Sequence, residues 1–349
     1  ELFLQAKQAL GELPYDTLVL LHKRSFQLKS DLSRLLFEIT QHKRNEQADR
    51  YGRFRGIPIV PKAERAQISN DALPQSAWRK GLEMVKPEYE QRPSQVAMMA
   101  AVDQAIHEQS ELVIEASTGM GKTLGYLLPA AAYAKDSGKQ VIISTYTTHL
   151  QDQLVSKEVK LAEEFLGANI RVALIKGLSH YIDLGRFFEL LHGEDESYDE
   201  TFTIMQMMVW LTSTRTGDLN ELNVSSGGQL LVDKVRRSHM RKLTRLETTV
   251  DFYEHALTEA ESAHVIVTNH AFLLNPHNQK RAILKNVDAY IWDEAHQVVQ
   301  AAVAHKEKTF VYTQWRYVFG QLGSYDENQL FSKFYRVAEN HGFARVPEL

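Results

Sequence analysis

Residues 115–123 read Glu-Ala-Ser-Thr-Gly-Met-Gly-Lys-Thr, a grouping with the chemistry to hold a polyphosphate. Gly119 and Gly121 allow the backbone to turn tightly with no Cβ in the way. The main-chain N–H groups of Ser117, Thr118, Gly119, Met120 and Gly121 are then expected to point inward at the anion. A helix beginning near Lys122 offers its positive end to the same charge. The Lys122 ammonium is expected to reach the β- and γ-phosphates of ATP, and the Thr123 hydroxyl to ligate Mg²⁺. The usual G-x-x-x-x-G-K-[ST] pattern is broken at its first glycine, which is Ala116 here. The apolar run at 112–114 reads as a strand and residues 124–134 as a helix, which is the setting a phosphate loop requires.

Hydrolysis needs a carboxylate for the metal and a group that orients water. Residues 287–292 form an apolar run expected to be a buried parallel strand, and it ends in Asp293-Glu294-Ala295-His296. At that strand end Asp293 is expected to hold the metal's shell and Glu294 to polarise the attacking water. His296 is placed to couple the nucleotide state to neighbouring segments. Two further runs suit the same sheet: 140–145, entering a polar stretch to residue 154, and 265–270, ending in Thr268-Asn269-His270. Thr145, Thr147, Gln151, Asn269 and His270 supply hydroxyl, amide and imidazole groups that can bond phosphate or sugar oxygens of a nucleic acid. Helix capping by Thr and Asn accounts for the same residues equally simply.

These four segments, in this order, resemble superfamily-2 helicases, and more closely the DinG-like branch, relatives of the XPD helicases. Residues 89–95 (Tyr-Glu-Gln-Arg-Pro-Ser-Gln) look like the branch's adenine-reading element, which implies base contacts from Arg92 and Gln95. Residues 144–154 resemble its first DNA-contacting motif. Residues 176–181 and 210–219 are similar to its inserted domain, residues 267–274 to the return into the core, and residues 293–296 to the DEAH box. The resemblance covers roughly residues 85–300. It implies an ATP-dependent motor acting 5′ to 3′ on single-stranded or forked DNA, with RNA as a further candidate substrate. Many members hold a [4Fe–4S] cluster with four cysteines in the insertion. This chain has no cysteine, so thiolate ligation is excluded and no cluster is expected. Asp183 and Asp251 stand where two of those cysteines are expected. Carboxylates are hard ligands and replace thiolates poorly. Cluster-free members of the branch occur in Gram-positive bacteria, where the motor often follows a proofreading-type exonuclease domain, so the resemblance implies a covalently linked exonuclease, although no Asp-x-Glu site of that kind precedes the motor here.

Composition narrows the class. The chain has 349 residues, 44% of them hydrophobic, and a net charge of −4. Nucleic-acid binding must then come from local patches, not a global field. Lys and Arg outnumber Asp and Glu over residues 23–65 and 231–247, which suits backbone binding and equally suits solvated helix faces. The lack of cysteine excludes disulfides and points to a reducing cytoplasm. No apolar run approaches the roughly 18 residues of a membrane span, so no membrane partner is expected. The fourteen histidines show no metal-ligand spacing.

The expected fold is α/β: a RecA-like parallel sheet with helices on both faces, a mostly helical insertion and helical extensions. A helical arm and linker occupies 1–88, packed on the motor, with loops or short strands over 46–88. The motor lobe takes 89–175 and 263–300, interrupted by the insertion at 176–262. A helical arch begins at 301–349. Within the insertion, helices are expected over 187–216 and 243–261, with a turn at Gly227-Gly228 and a Met-rich core run at 205–208. Neither a second lobe's Gln-x-x-Gly-Arg-like segment nor its arginine finger is found, so the chain reads as an excised fragment of low activity. Two other functions remain open: an ATP-gated regulator of an attached exonuclease that does not unwind, and a nucleic-acid clamp in which nucleotide is structural.

Overall fold

The computed structural model describes residues 2–43, 51–61, 77–83, 92–117, 119–193, 197–238, 251–275, 278 and 286–306. In chain order the N-terminal part contains α1 (Leu2–Glu12), α2 (Tyr15–Ser25), α3 (Leu32–His42), β1 (Tyr51–Phe54), β2 (Ile57–Pro61) and α4 (Ala77–Glu83). Pro14 separates α1 from α2, and Lys29 in the left-handed region breaks the expected continuous repeat over 18–39 into α2 and α3. The arm's polar contacts go to the insertion: the Arg24 guanidinium donates to the carbonyls of Leu190 and Leu191, and Thr201 Oγ1 to Gln27 Oε1 at 3.1 Å.

The motor part contains α5 (Pro93–Glu108), α6 (Lys122–Ser137), β3 (Gln140–Thr145), α7 (Thr148–Gln153), a π-turn (Leu154–Glu158), α8 (Val159–Leu166) and β4 (Val172–Leu174). After the insertion come β5 (Val265–Asn269), α13 (His270–Leu274), β6 (Val287–Trp292) and α14 (Val298–Lys306). The four parallel strands lie in the order β4-β5-β3-β6. Alternation sorts their side chains to two faces. Ile142, Ala173 and Ile266 join one core with the insertion, while Val141, Ile143, Val265 and Val267 join another with α5, α6 and α8. This is the three-layer arrangement of a doubly covered parallel sheet, and it is RecA-like.

Residues 112–114 correct one expectation. They are irregular rather than a buried strand, and Val113 is 97% exposed. A strand exists only by pairing with a neighbouring edge, and these residues take no place in the sheet. The last strand, β6, is correspondingly only half-buried, with Tyr290 48% exposed.

The insertion holds α9 (Leu184–Leu191), α10 (Tyr198–Leu211), α11 (Ser226–Val235) and α12 (Phe252–Glu261). Met205, Met207 and Met208 are buried, as their helical spacing suggests. Gly227-Gly228 is not a turn but lies inside α11, whose first turn Ser225 caps. A Cβ at either glycine would overlap Asp199 or Thr203 of α10, so the pair permits close helix approach. Asp183 caps α9, accepting from the Gly185 and Arg186 N–H groups. Asp251 caps α12 and pairs with the buried Arg237, which also lies over the Tyr253 ring. Both aspartates are thus engaged in local structure. The front of the helix expected over 243–261 falls partly outside the described residues. Residues 1–302 form one unit. Of the second, 303–349, the described residues are 303–306, the end of α14.

His264, at the start of β5, is a buried imidazole whose Nδ1 accepts from the Arg171 N–H at 3.1 Å. Burial first, then Arg171 and Lys135, push its pKa down to about 4. Burial also lowers His180 and His270. The unfolded chain therefore binds more protons than the native one as pH falls below about 6.5. Stability present above that value is lost towards pH 4. Thermal melts of the chain at pH 7 and pH 5 should show a lower midpoint at pH 5, and His264→Asn should shrink that difference.

Candidate nucleotide-binding site

The carboxyl ends of β3, β5 and β6 lie side by side. Ser144 stands opposite both Thr268 and Trp292, and the Asp293 N–H continues the ladder to the Ser144 carbonyl at 2.9 Å. Ligands of open parallel sheets bind at this rim. The phosphate loop reaches it from α6. Gly119 and Gly121 have φ of 80° and 82°, a region that costs other residues strain. Gly121 is the N-cap of α6, and no side chain caps the helix, so its first N–H groups are left for an anion. Thr118 lies outside the described residues. Ser117 and Gly119 are exposed and Met120 is half-buried.

Lys122 Nζ donates to Glu294 Oε1 at 2.7 Å, across 172 positions of sequence. This contact joins the loop to the acidic strand end. It holds the Glu294 carboxyl below the usual range, with the Lys122 hydrogen bond the main cause. Glu294 sits at φ 53°, ψ 48°, a left-handed conformation uncommon for a non-glycine residue and frequent at functional sites. Asp293 is more enclosed. Burial raises its pKa, while a hydrogen bond from Tyr126 and the charge of Lys122 oppose the rise. Tyr126 Oη donates to Asp293 Oδ2 at 3.1 Å. His296 is largely exposed, with Nδ1 3.5 Å from Glu294 Oε2.

This donor set fits a magnesium–triphosphate. Mg²⁺ takes oxygen ligands, retains waters and is held by one or two protein groups beside substrate phosphates. Thr123 and Asp293 both line one small cleft beside α6. Lys122 and the uncapped helix start supply the positive charge.

Arg92 and Gln95 hold the loop itself. Arg92 Nη1 donates to the Gly119 carbonyl, and Gln95 Nε2 to the Gly121 carbonyl at 2.9 Å. Gln95 is 4% exposed. In this structure its amide reaches the loop's backbone, which departs from the base-reading role that the resemblance implies. The candidates for a nucleic-acid face divide similarly. The Thr147 side chain caps α7 and the Asn269 side chain caps α13. Thr145 is buried and donates to the Thr147 carbonyl at 3.2 Å. Gln151 is fully enclosed, and His270 is buried with Nδ1 2.7 Å from Ser144 Oγ, between Tyr146 and Trp292. Gln151 and His270 therefore keep their side chains inward in this structure. Their polar atoms face inward because α7 and α13 pack on the strands they follow.

Sequence reasoning missed Tyr126, although it follows Thr123 by one helical turn and so shares its face. It also missed the buried Lys176 ammonium, which joins Asp152 at the end of α7 to Asp218 of the insertion.

A sheet with an uncapped glycine loop and an acidic strand end defines a P-loop nucleotide-binding fold. Residues 93–209 match the model of the DEAD/DEAH box helicase family. The chain is 36% identical over 349 residues to "3'-5' exonuclease DinG" of Bacillus subtilis (strain 168), an alignment covering 97% of this chain and 38% of that protein. It is 29% identical over 347 residues to the protein of the same name in Staphylococcus haemolyticus (strain JCSC1435), covering 99% and 38%. It is 30% identical over 334 residues to that of Staphylococcus aureus (strain USA300), covering 95% and 36%. The chain belongs to the DEAD/DEAH box helicases, in their DinG-like branch. It spans 38% of the length of the first two relatives. Members of this class use ATP and a divalent metal. No helix among the described residues is long and apolar enough to cross a membrane.

Gly121→Ala meets two obstacles: a left-handed φ, costing roughly 1–2 kcal/mol, and overlap of the new Cβ with Gln95 Nε2. Nucleotide titration should show affinity falling by at least about tenfold, the equivalent of ~1.4 kcal/mol, with a lower melting temperature. Unchanged affinity would mean that the loop geometry does not govern binding.

Proposed function

We propose that this chain is the first motor lobe of a DNA helicase, binding Mg·ATP between Lys122, Thr123, Asp293 and Glu294. The observation that carries the proposal is the 2.7 Å contact between Lys122 and Glu294. In the absence of nucleotide each charge neutralises the other. A γ-phosphate competes for the Lys122 ammonium, and Glu294, once released, is free to orient a water for in-line attack. Thr123 would ligate a bound metal and Asp293 would hold its shell, and the metal would supply charge to offset the phosphates. His296, beside Glu294, senses which state is present. Arg92 and Gln95 brace the loop from α5, with the adenine held near that helix.

Single-stranded or forked DNA is proposed to run over the rim at the carboxyl ends of β3 and β5. Thr147 and Asn269 offer groups there, and Tyr146 an exposed ring for base stacking. Polarity is proposed as 5′ to 3′, and the site of action as the cytoplasm. The insertion is proposed to be cluster-free, held by packing and by the Arg237–Asp251 pair. Isolated turnover is proposed to be slow. Lys122 and Arg92 are the cations at the loop and both are engaged, while a further arginine at the transferred phosphoryl group is worth roughly 10³–10⁵ in rate.

A second reading is favoured by the relatives' name: nucleotide-gated control of a covalently linked 3′–5′ exonuclease, without unwinding. Two substitutions in the full-length protein test the first proposal. Lys122→Ala should weaken ATP binding by about 100-fold, whereas Glu294→Gln should bind normally and lose more than about 99% of hydrolysis, as expected for a positioned water-activating group. Strand displacement abolished by Glu294→Gln supports the motor. Normal hydrolysis in that variant would remove Glu294 from its assigned role. Nuclease activity that follows ATP with no displacement would favour the second reading.

A further inference from the structure

We infer that Tyr126 is a positioning residue for the metal: its hydroxyl fixes the orientation of Asp293 beside Thr123. This rests on the magnesium–nucleotide reading of the site. Tyr126 is 4% exposed, with its ring in the core beneath α6. A phenol has one proton to give and lone pairs to accept with. The proton is committed to Asp293 Oδ2, 3.1 Å away. Thr123, one turn earlier on α6, lines the same small cleft. The hydroxyl therefore sits beside both side chains expected at the metal, which come from elements far apart in sequence.

A carboxyl group turns freely about its last torsion, because the wells there are broad and two-fold. In a buried setting with few donors, one hydrogen bond selects the orientation. The phenol holds Oδ2 and leaves Oδ1 for the metal's water shell. The neighbouring small cleft is lined by Thr123, Tyr126, Asp293, Gln153 and Glu158 among others. The ring alone does not require this arrangement. Phenylalanine would fill the same core volume, so the hydroxyl is the separable part.

The test uses the whole chain and a fluorescent methylanthraniloyl-ATP probe, titrated first in EDTA and then with increasing Mg²⁺. Wild type should bind more tightly as Mg²⁺ is added. Tyr126→Phe should match wild type within about twofold in EDTA but need about tenfold more Mg²⁺ for half-maximal tightening, as expected for loss of a hydrogen bond to a charged group. In an Asp293→Asn background the same substitution should add no further shift. A residue that only packs would lower the melting temperature or weaken binding equally with and without metal. A Mg²⁺ response of Tyr126→Phe equal to wild type, or a full additional shift in the Asp293→Asn background, overturns the positioning role and leaves the nucleotide site standing. Wild type that binds no probe under any condition overturns the site and this inference together.

Discussion

The structure depends on bringing a helix N-terminus and an acidic strand end to one point. Lys122 opens α6 and Asp293-Glu294 closes β6, with the whole insertion lying between them in sequence. Their meeting follows from sheet order. β6 pairs with β3, β3 directly follows α6, and parallel pairing puts the strand ends at the same rim. Core packing delivers the catalytic geometry: Ile143, Val141 and the buried face of α6 set the depth at which the loop stands relative to the strands. The Lys122–Glu294 pair is partly exposed, so its attraction is screened by solvent and contributes little to stability. Its importance in the proposed mechanism is positional: the two charges that a bound triphosphate would separate already face each other.

The sheet's two faces divide the molecule. One is covered by α5, α6 and α8 and carries the nucleotide chemistry. The other is shared with the insertion and the N-terminal arm, whose helices pack into one continuous core. The buried Lys176 ammonium ties α7, at the rim of the motor, to Asp218 in the insertion. Burial lowers the pKa of such a lysine, and its two aspartate partners outweigh that and raise it. An uncompensated charge in this position would be costly, so the three groups are held as a set and link the two parts mechanically.

The two halves of the candidate nucleotide site were legible in the sequence because each half is local. A glycine loop before a helix and an acid pair after an apolar run are written in consecutive residues, and physical chemistry restricts what they bind. The parallel strands at 140–145, 265–269 and 287–292 were legible for the same reason. What escaped depends on partners distant in sequence. Residues 112–114 are as apolar as a strand, but pairing needs an edge, and apolarity does not specify one. Gly227-Gly228 has the composition of a turn, and its helical state is explained by Asp199 and Thr203 on a neighbouring helix. Gln151 and His270 are polar residues at strand ends, and only the packing of α7 and α13 reveals that they point inward. Tyr126 resembles any helix-core aromatic until Asp293 is placed beside it.

Both halves of the site are proposed to grip one magnesium–triphosphate. A crystal structure of the chain with Mg²⁺ and a non-hydrolysable ATP analogue tests this: Lys122 Nζ is expected on the β- and γ-phosphates, its contact with Glu294 broken, with the metal between Thr123 and Asp293. A nucleotide bound elsewhere, with Lys122 still held by Glu294, would contradict it.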